Sequence, residues 1–227
     1  MLEAFLKVYH PDLTLTSTAS GDPLAQLQAR YGGASFNGGL YRIVSAKDGE
    51  TWKERISLAF PEYAENCTTF AYDWLGRAFA LSTQHRVQEE PGVLLLEPGT
   101  GEVLEIPASL VAFHDDELVN EPESALATSF FRDWLDQGGE APGYDQCIGH
   151  KRPLFLGGTD DVEGIALTDL DVYWSVMGQL IAKTHGLQPG TAIGRISITD
   201  AEPHVEPAHI HSKPAGLFSW LKPRPKR

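Results

Sequence analysis

The sequence predicts an α+β protein: a central antiparallel β-sheet with helices packed around it, in a single compact unit followed by a C-terminal tail. Apolar residues recur at helical spacing in several segments, two hairpin patterns stand between those segments, and no internal repeat is present. The 227 residues, 42% of them hydrophobic, suffice to bury a sizeable core.

The first 60 residues predict three helices and one strand. Asp22 followed by Pro23 is typical of a helix cap and first turn, and begins a helix over LAQLQARY that Gly32 and Gly33 end. GGLYRIVS predicts a strand, and ETWKERISLAF predicts a third helix. A short opening helix is indicated by one apolar face, formed by Leu2, Phe5, Leu6 and Tyr9.

After Pro61 the pattern becomes that of β-strands. CTTFAYDW and RAFALST flank a short turn at Leu75 and Gly76. GVLLLE and EVLEIPA flank PGTG, which is made of turn-forming residues. Both patterns predict antiparallel hairpins.

The C-terminal half returns to helical spacing. One apolar stripe from Glu123 to Gln137 predicts a helix that Gly138 and Gly139 end. PLFLGG predicts a short buried strand. LTDLDVYWSVMGQLIAKTHG predicts a second long helix, with its cap at Thr168 or Asp169 and its end at Gly186.

The charge is strongly acidic. Lys and Arg number 18 against 31 Asp and Glu, which gives a net charge of −13. The segment from His209 to Arg227 holds five basic and no acidic residues, so the preceding part carries 13 − 31 = −18. Such a surface repels nucleic acid and favours encounter with a cationic partner, although plain solubility is an alternative explanation.

The same composition bears on location. No run approaches the roughly 18 apolar residues of a membrane span. The N-terminus lacks the basic and apolar regions of a signal peptide, and Cys67 and Cys147 do not make a disulfide framework. We expect a cytoplasmic protein without membrane association.

The glycine-rich stretch RPLFLGGTDDVEG raises the question of a ligand loop. A phosphate loop needs glycines that lead into a helix and a Lys, whereas Asp160, Asp161 and Glu163 stand here where the anion would lie. The acids also lack the spacing of a calcium loop. We therefore expect a turn with its acids on the surface.

Patterns for catalysis or metal binding are weak. No Gly-x-Ser-x-Gly elbow is present, and neither cysteine has the local signature of a nucleophile. FHDDELVNE concentrates possible ligands, but consecutive side chains diverge, so an acidic surface loop is the favoured interpretation. A second cluster near the C-terminus consists of His204, His209 and His211 and could bind a zinc ion. A linker that happens to carry histidines is the favoured interpretation of this cluster. We expect no catalytic residue, no metal and no cofactor.

The ordered set of segments resembles a known family. LQARYGGASFNGGLYRIV, FAYDWLGRAFAL, LLLEPGTGEVLEI, SFFRDWL and KRPLFLGGTDDVEGIALTDLDVYWSVMGQL together resemble bacterial type VI secretion immunity proteins. That family has a GAD-like N-terminal region and a characteristic C-terminal domain, and its best-known members guard the producing cell against a secreted DNase. The resemblance runs from residue 1 to about residue 194.

The resemblance implies a GAD-like α+β region over 1–120 and an immunity-type region of helix, short strand and helix over 121–196. Composition alone predicts the Pro/His/basic tail over 197–227, to which the resemblance does not extend. The resemblance also implies a non-catalytic protein that binds and blocks a cognate toxin. An acidic inhibitor can present carboxylates to a basic nuclease where DNA phosphates would lie. The candidate toxin-binding residues are Asp115, Asp116, Glu117, Asp160, Asp161 and Glu163.

Two other functions stay open at this point. One is a general protein-binding module of the same fold, since one fold can carry different sites. The other is a metal-dependent hydrolase, for which the candidate ligands are His114 with Asp115 or Glu117, or His209 with His211.

Overall fold

The centre of the molecule is a six-stranded antiparallel sheet whose strands follow the order of the sequence. A computed structural model describes residues 2–17, 19–188, 191 and 197–198. The strands of this sheet are β1 (Ser35–Phe36), β2 (Tyr41–Ile43), β3 (Cys67–Asp73), β4 (Ala78–Val87), β5 (Glu90–Glu97) and β6 (Glu102–Ser109). The chain is α+β with a central antiparallel sheet, as the sequence predicts.

Helices surround the sheet, and a small second sheet lies in the C-terminal half. The helices are α1 (Phe5–Val8), α2 (Pro23–Tyr31), α3 (Gly49–Ala59), α4 (Leu110–Ala112), α5 (Leu118–Asn120), α6 (Pro122–Leu126), α7 (Thr128–Asp136) and α8 (Leu170–Thr184). The second sheet pairs β7 (Gln146–His150) with β8 (Ile165–Asp169). In the described part of the chain, no helix combines the length and apolarity needed to cross a bilayer.

The predicted caps and hairpins are confirmed. The Asp22 carboxylate accepts the N–H of Leu24 at 3.2 Å, and the Asp169 carboxylate accepts the N–H of Val172 at 3.0 Å. Strands β3 and β4 form one predicted hairpin, and β5 and β6 form the other. Local patterns suffice here because caps and tight turns depend on neighbouring residues.

Two predictions for the C-terminal half are wrong. PLFLGG is not a strand: Leu154–Leu156 form a 3-10 turn, and the N–H of Gly158 returns to the Pro153 carbonyl at 3.0 Å. The helix expected over 123–137 is two helices, because Ala127 adopts left-handed angles (φ 49°, ψ 50°) between α6 and α7. The actual strands, β7 and β8, flank the segment predicted as a strand.

The centre of the sheet is buried on both faces, which explains the unbroken apolar run of β5. Val93 and Leu95 pack into one cluster, with Phe79 of β4. Leu94 and Leu96 point to the opposite face and pack with the residues of α3 and α8. Successive side chains of a strand alternate between faces, so a strand covered on both sides reads as continuously apolar.

The turn between β3 and β4 joins the N-terminal part to the C-terminal region on two sides. The Trp174 indole of α8 donates to the Gly76 carbonyl at 2.9 Å, and the Trp74 indole donates to the Leu126 carbonyl at 2.8 Å. Within the turn, the buried Asp73 carboxylate lies 2.6 Å from the Arg77 guanidinium. These contacts connect regions 1–120 and 121–196. The predicted tail from residue 199 onward lies outside the described residues.

We expect Trp174→Phe to lower the free energy of unfolding by about 2 kcal/mol, because a buried carbonyl loses its donor and a cavity opens. Val172→Ala, on the same helix at a residue 56% exposed, is the matched control and should change stability by less than about 0.5 kcal/mol. Urea denaturation monitored by circular dichroism measures both variants. Equal losses would show that the indole contact does not stabilise the fold.

Candidate functional site

The first acidic segment is helical, so the prediction of a surface loop at FHDDELVNE is wrong. Phe113–Glu117 form a π-helical turn between α4 and α5. Phe113 and His114 are fully buried, Asp115 and Glu117 are partly buried, and Asp116 is exposed. The segment is therefore amphipathic: its aromatic residues enter the core and its acids face outward or border the surface.

Asp115 has a structural role that the sequence did not indicate. Its Oδ1 accepts the N–H groups of Ala4 and Phe5 at 3.1 and 3.0 Å, at the start of α1. A carboxylate in this position satisfies donors that a helix leaves unpaired at its N-terminus. Asp115 therefore fixes α1 to the π-helical turn, and its own carboxylate is held in place.

The other two acids of this segment lie in a negative electrostatic environment. Asp116 accepts a hydrogen bond from the Asn120 amide one turn later. Partial burial, and then the charges of Asp116 and Glu121, raise the pKa of Glu117 above its ordinary value. Like charges so close together favour binding of a cation or of a cationic side chain at this surface.

The second acidic segment lies in the loop between β7 and β8, and the predicted turn with its acids on the surface is confirmed there. Asp160, Asp161 and Glu163 are all exposed. The Asp161 carboxylate accepts the N–H of Gly164 at 2.8 Å and the Thr159 hydroxyl at 3.1 Å, which shapes the loop. Asp161 is thus partly structural, whereas Asp160 and Glu163 present exposed carboxylates.

The six candidate residues fall into two segments with different neighbours. The π-helical turn packs against α1, α4, α5 and β6, whereas the loop at Val162–Gly164 packs against α7. The sequence placed all six on the surface, and the structure separates anchored carboxylates, Asp115 and Asp161, from the more outward ones.

His114 occupies an aromatic cage in the interior. Its Nδ1 lies 2.7 Å from the Leu110 carbonyl, and its Nε2 lies 3.0 Å from the Tyr41 hydroxyl. The carbonyl can only accept, so Nδ1 carries the proton and Nε2 accepts from Tyr41 in the neutral ring. The cage is completed by the rings of Phe5, Phe70 and Phe113. Burial lowers the pKa of His114 from 6.5 to about 4.

These contacts concern the alternative in which His114 and Asp115 are ligands of a metal ion. Both ring nitrogens of His114 already have partners inside the fold, and the Asp115 carboxylate is directed to α1. Within residues 2–17 and 19–188, no three His, Cys, Asp or Glu side chains are grouped so as to hold a metal ion. His204, His209 and His211 lie outside the described residues.

A surface groove of about 520 Å³ was not predicted from the sequence. It is lined by the β4–β5 turn, the end of β6, α4 and the π-helical turn, and we call it the hairpin groove. Among the described residues that line it, two are acidic, Glu90 and Asp115, and none is basic. The remaining lining residues are Val87, Gln88, Pro107, Ala108, Ser109, Val111 and Ala112.

The sequence carried little signal for this groove. Its turn has left-handed angles at Gln88 (φ 49°) and Glu89 (φ 66°), a conformation that usually calls for Asn or Gly. The rest of the lining comes from residues 107–115, and Asp115 lies 25 positions after Glu90 in the sequence. Only the folded chain brings the two segments together.

A smaller cavity of about 230 Å³ lies beside α3. Its lining includes one acid and one base, Glu50 and Lys53, together with the partly buried Cys67. Burial raises the pKa of the Cys67 thiol to about 11, and burial also raises the pKa of Cys147 above its ordinary value. Both thiols therefore stay protonated at neutral pH, which is the unreactive form.

Arg42 is a buried cation that no pattern in the sequence indicates. Arg42 in β2 is fully buried, donates to the Pro142 carbonyl, and stacks its guanidinium 5.4 Å from the centre of the Tyr72 ring. Burial lowers its pKa below the usual value. Arg42 thus holds the irregular segment between α7 and β7 against the main sheet.

The described residues form an α+β fold that carries exposed carboxylates on two segments. The structure is similar to the crystal structure of Atu4351 from Agrobacterium tumefaciens, with a TM-score of 0.50 and 18% sequence identity. The alignment covers 79% of this chain and 89% of that chain. Likeness at this level shows the shared fold alone. No protein family model matches the chain, and no curated protein matches it.

We expect Asp115→Ala to lower the free energy of unfolding by about 1–2 kcal/mol, because two N–H groups of α1 lose their acceptor. Asp115→Asn keeps an oxygen at this position and should lose less. Asp116→Ala, at the exposed neighbour, is the control and should stay within about 0.5 kcal/mol. Chemical denaturation measures all three. A loss for Asp116→Ala as large as that for Asp115→Ala would contradict the anchoring role.

His114 makes stability depend on pH. Its pKa in the folded state is about 4 against 6.5 when unperturbed, so between these values the unfolded chain binds more protons than the folded one. The His114 contribution is complete above pH 6.5 and is lost as pH falls toward 4, by up to about 1.4 kcal/mol per pH unit.

Denaturant titrations from pH 7 to pH 4 measure this slope. His114→Gln should reduce it, whereas His10→Gln, at an exposed histidine, should leave it unchanged. An unaltered slope in His114→Gln would show that other groups cause the pH dependence.

Proposed function

We propose that this protein is an immunity protein that binds and neutralises a cognate secreted toxin in the cytoplasm. The toxin is a nuclease delivered by a type VI secretion system, and the protein blocks it without catalysis. The observation that carries the proposal is the acidic surface: a charge of −18 before residue 209, with carboxylates exposed on two segments. The order of sequence motifs supports the same family.

The physical reason is charge complementarity. Nucleases bind DNA phosphates through basic surfaces, and an inhibitor that presents carboxylates to such a surface competes with DNA and is attracted at long range. Asp116, Asp160 and Glu163 are exposed and suited to direct contact. Asp115 and Asp161 act additionally as positioning residues, because their oxygens hold backbone N–H groups.

The surrounding structure favours a preorganised binding surface. The π-helical turn is fixed by Asp115 to α1, and the loop is fixed by the Asp161 bonds. The Lys151 ammonium also donates to the Glu163 carbonyl at 2.7 Å and holds the loop at its far end. Rigid carboxylates lose little conformational entropy when they bind, which strengthens the complex.

Co-expression with the product of the neighbouring gene tests this function. We expect a one-to-one complex that survives purification and whose dissociation constant rises as salt increases from 50 to 500 mM. Inhibition of DNA cleavage by the purified partner is the functional readout.

Asp160→Asn with Glu163→Gln should weaken the complex by about three- to tenfold. A control pair with the same change in net charge, Glu54→Gln with Glu62→Gln, lies on exposed residues of α3 and the following turn and should have little effect. Failure of the two proteins to co-purify, or binding without loss of DNA cleavage, would contradict the proposed function.

A further inference from the structure

We propose that the hairpin groove is a docking site for a Lys or Arg side chain of a protein partner, together with an apolar residue beside it. The inference rests on the proposed function in one respect: it takes the partner to be a basic protein. It adds a location that the sequence did not indicate, and it gives Glu90 and Asp115 a shared role.

Charge is the first argument. Glu90 and Asp115 both line the groove and come from different elements, one from the β4–β5 hairpin and the other from the π-helical turn. No basic residue accompanies them among the described lining residues. Arg86 on the hairpin is engaged with Glu89: its guanidinium donates to the Glu89 carbonyl and lies 4.0 Å from the Glu89 carboxylate.

The shape and polarity of the groove define the ligand more closely. Apart from the two acids, the lining is largely aliphatic: Val87, Pro107, Ala108, Val111 and Ala112. Lys and Arg lay their methylene groups along apolar surfaces and keep the charged end near polar groups. A volume of about 520 Å³ exceeds a single side chain. The groove therefore fits a cationic side chain within a peptide segment, rather than a bare metal ion.

Both lining segments are held in unusual backbone conformations. Gln88 and Glu89 keep left-handed angles without glycine, at a cost of about 1–2 kcal/mol for each residue. The wider π-helical turn supplies Asp115 to the same groove, and its Oδ1 accepts the N–H groups of Ala4 and Phe5. Its position is therefore set before any partner arrives, and a preformed acceptor binds with less loss of entropy.

The test uses the full chain, labelled with ¹⁵N, and a five-residue probe. The probe is acetylated and amidated, and has a leucine, a lysine and an arginine between terminal glycines. We expect amide shifts that saturate with added probe at Gln88, Glu90, Val111, Ala112 and Asp115. The same peptide with glutamates in place of the two basic residues should produce no such shifts.

Matched variants locate the charge effect. Glu90→Gln with Asp115→Asn removes both groove carboxylates and keeps the Asp115 oxygen for α1. We expect this pair to raise the dissociation constant of the probe by about five- to tenfold. The control pair Glu54→Gln with Glu62→Gln changes net charge equally and should alter the constant less than twofold. Shifts centred elsewhere, or equal weakening by both pairs, would overturn the inference.

The two proposals fail in different ways. If the probe binds in the groove but no neighbouring toxin forms a complex, the result supports the docking site and contradicts the immunity function. If a toxin complex forms and the probe gives no shifts in the groove, the docking site is wrong and the immunity function stands.

Discussion

The architecture depends on the turn between β3 and β4. Its backbone is fixed from within by Asp73, whose carboxylate accepts the N–H groups of Leu75 and Arg77 at 3.0 Å. The Arg77 guanidinium donates a hydrogen bond to the Ala125 carbonyl, and the Gly76 carbonyl accepts one from the Trp174 indole. A buried ion pair is costly unless each group is fully bonded, so this turn tolerates little change. One local hairpin thereby holds the C-terminal helices against the main sheet.

Acidic residues have two tasks in this molecule. Some, such as Asp115 and Asp161, bind backbone N–H groups and fix helices or loops. Others, such as Asp116 and Glu163, lie on the surface and contribute to its negative potential. The two tasks reinforce one another, because an anchored carboxylate still carries its charge. A surface built in this way combines electrostatic attraction with a fixed geometry.

The fold was largely predictable, and the failures have a common cause. Hairpins and caps were recognised because their signals lie within a few residues, as at Asp22, Gly76 and Asp169. The prediction of a strand at PLFLGG is wrong because a short apolar run does not distinguish a strand from a compact turn. The break at Ala127 has no sequence signature, because left-handed angles usually occur at Gly, Asn or Asp and not at alanine.

The sequence by itself determined the α+β class, the two hairpins, the starts of α2 and α8 and the acidic charge, since these follow from local spacing and composition. Only the tertiary structure decided that His114 is a neutral core residue, that Asp115 fixes α1, and that Glu90 shares a groove with Asp115. The contact between Asp115 and Phe5 joins residues 110 positions apart. Such pairings depend on how the elements pack, and no local pattern encodes them.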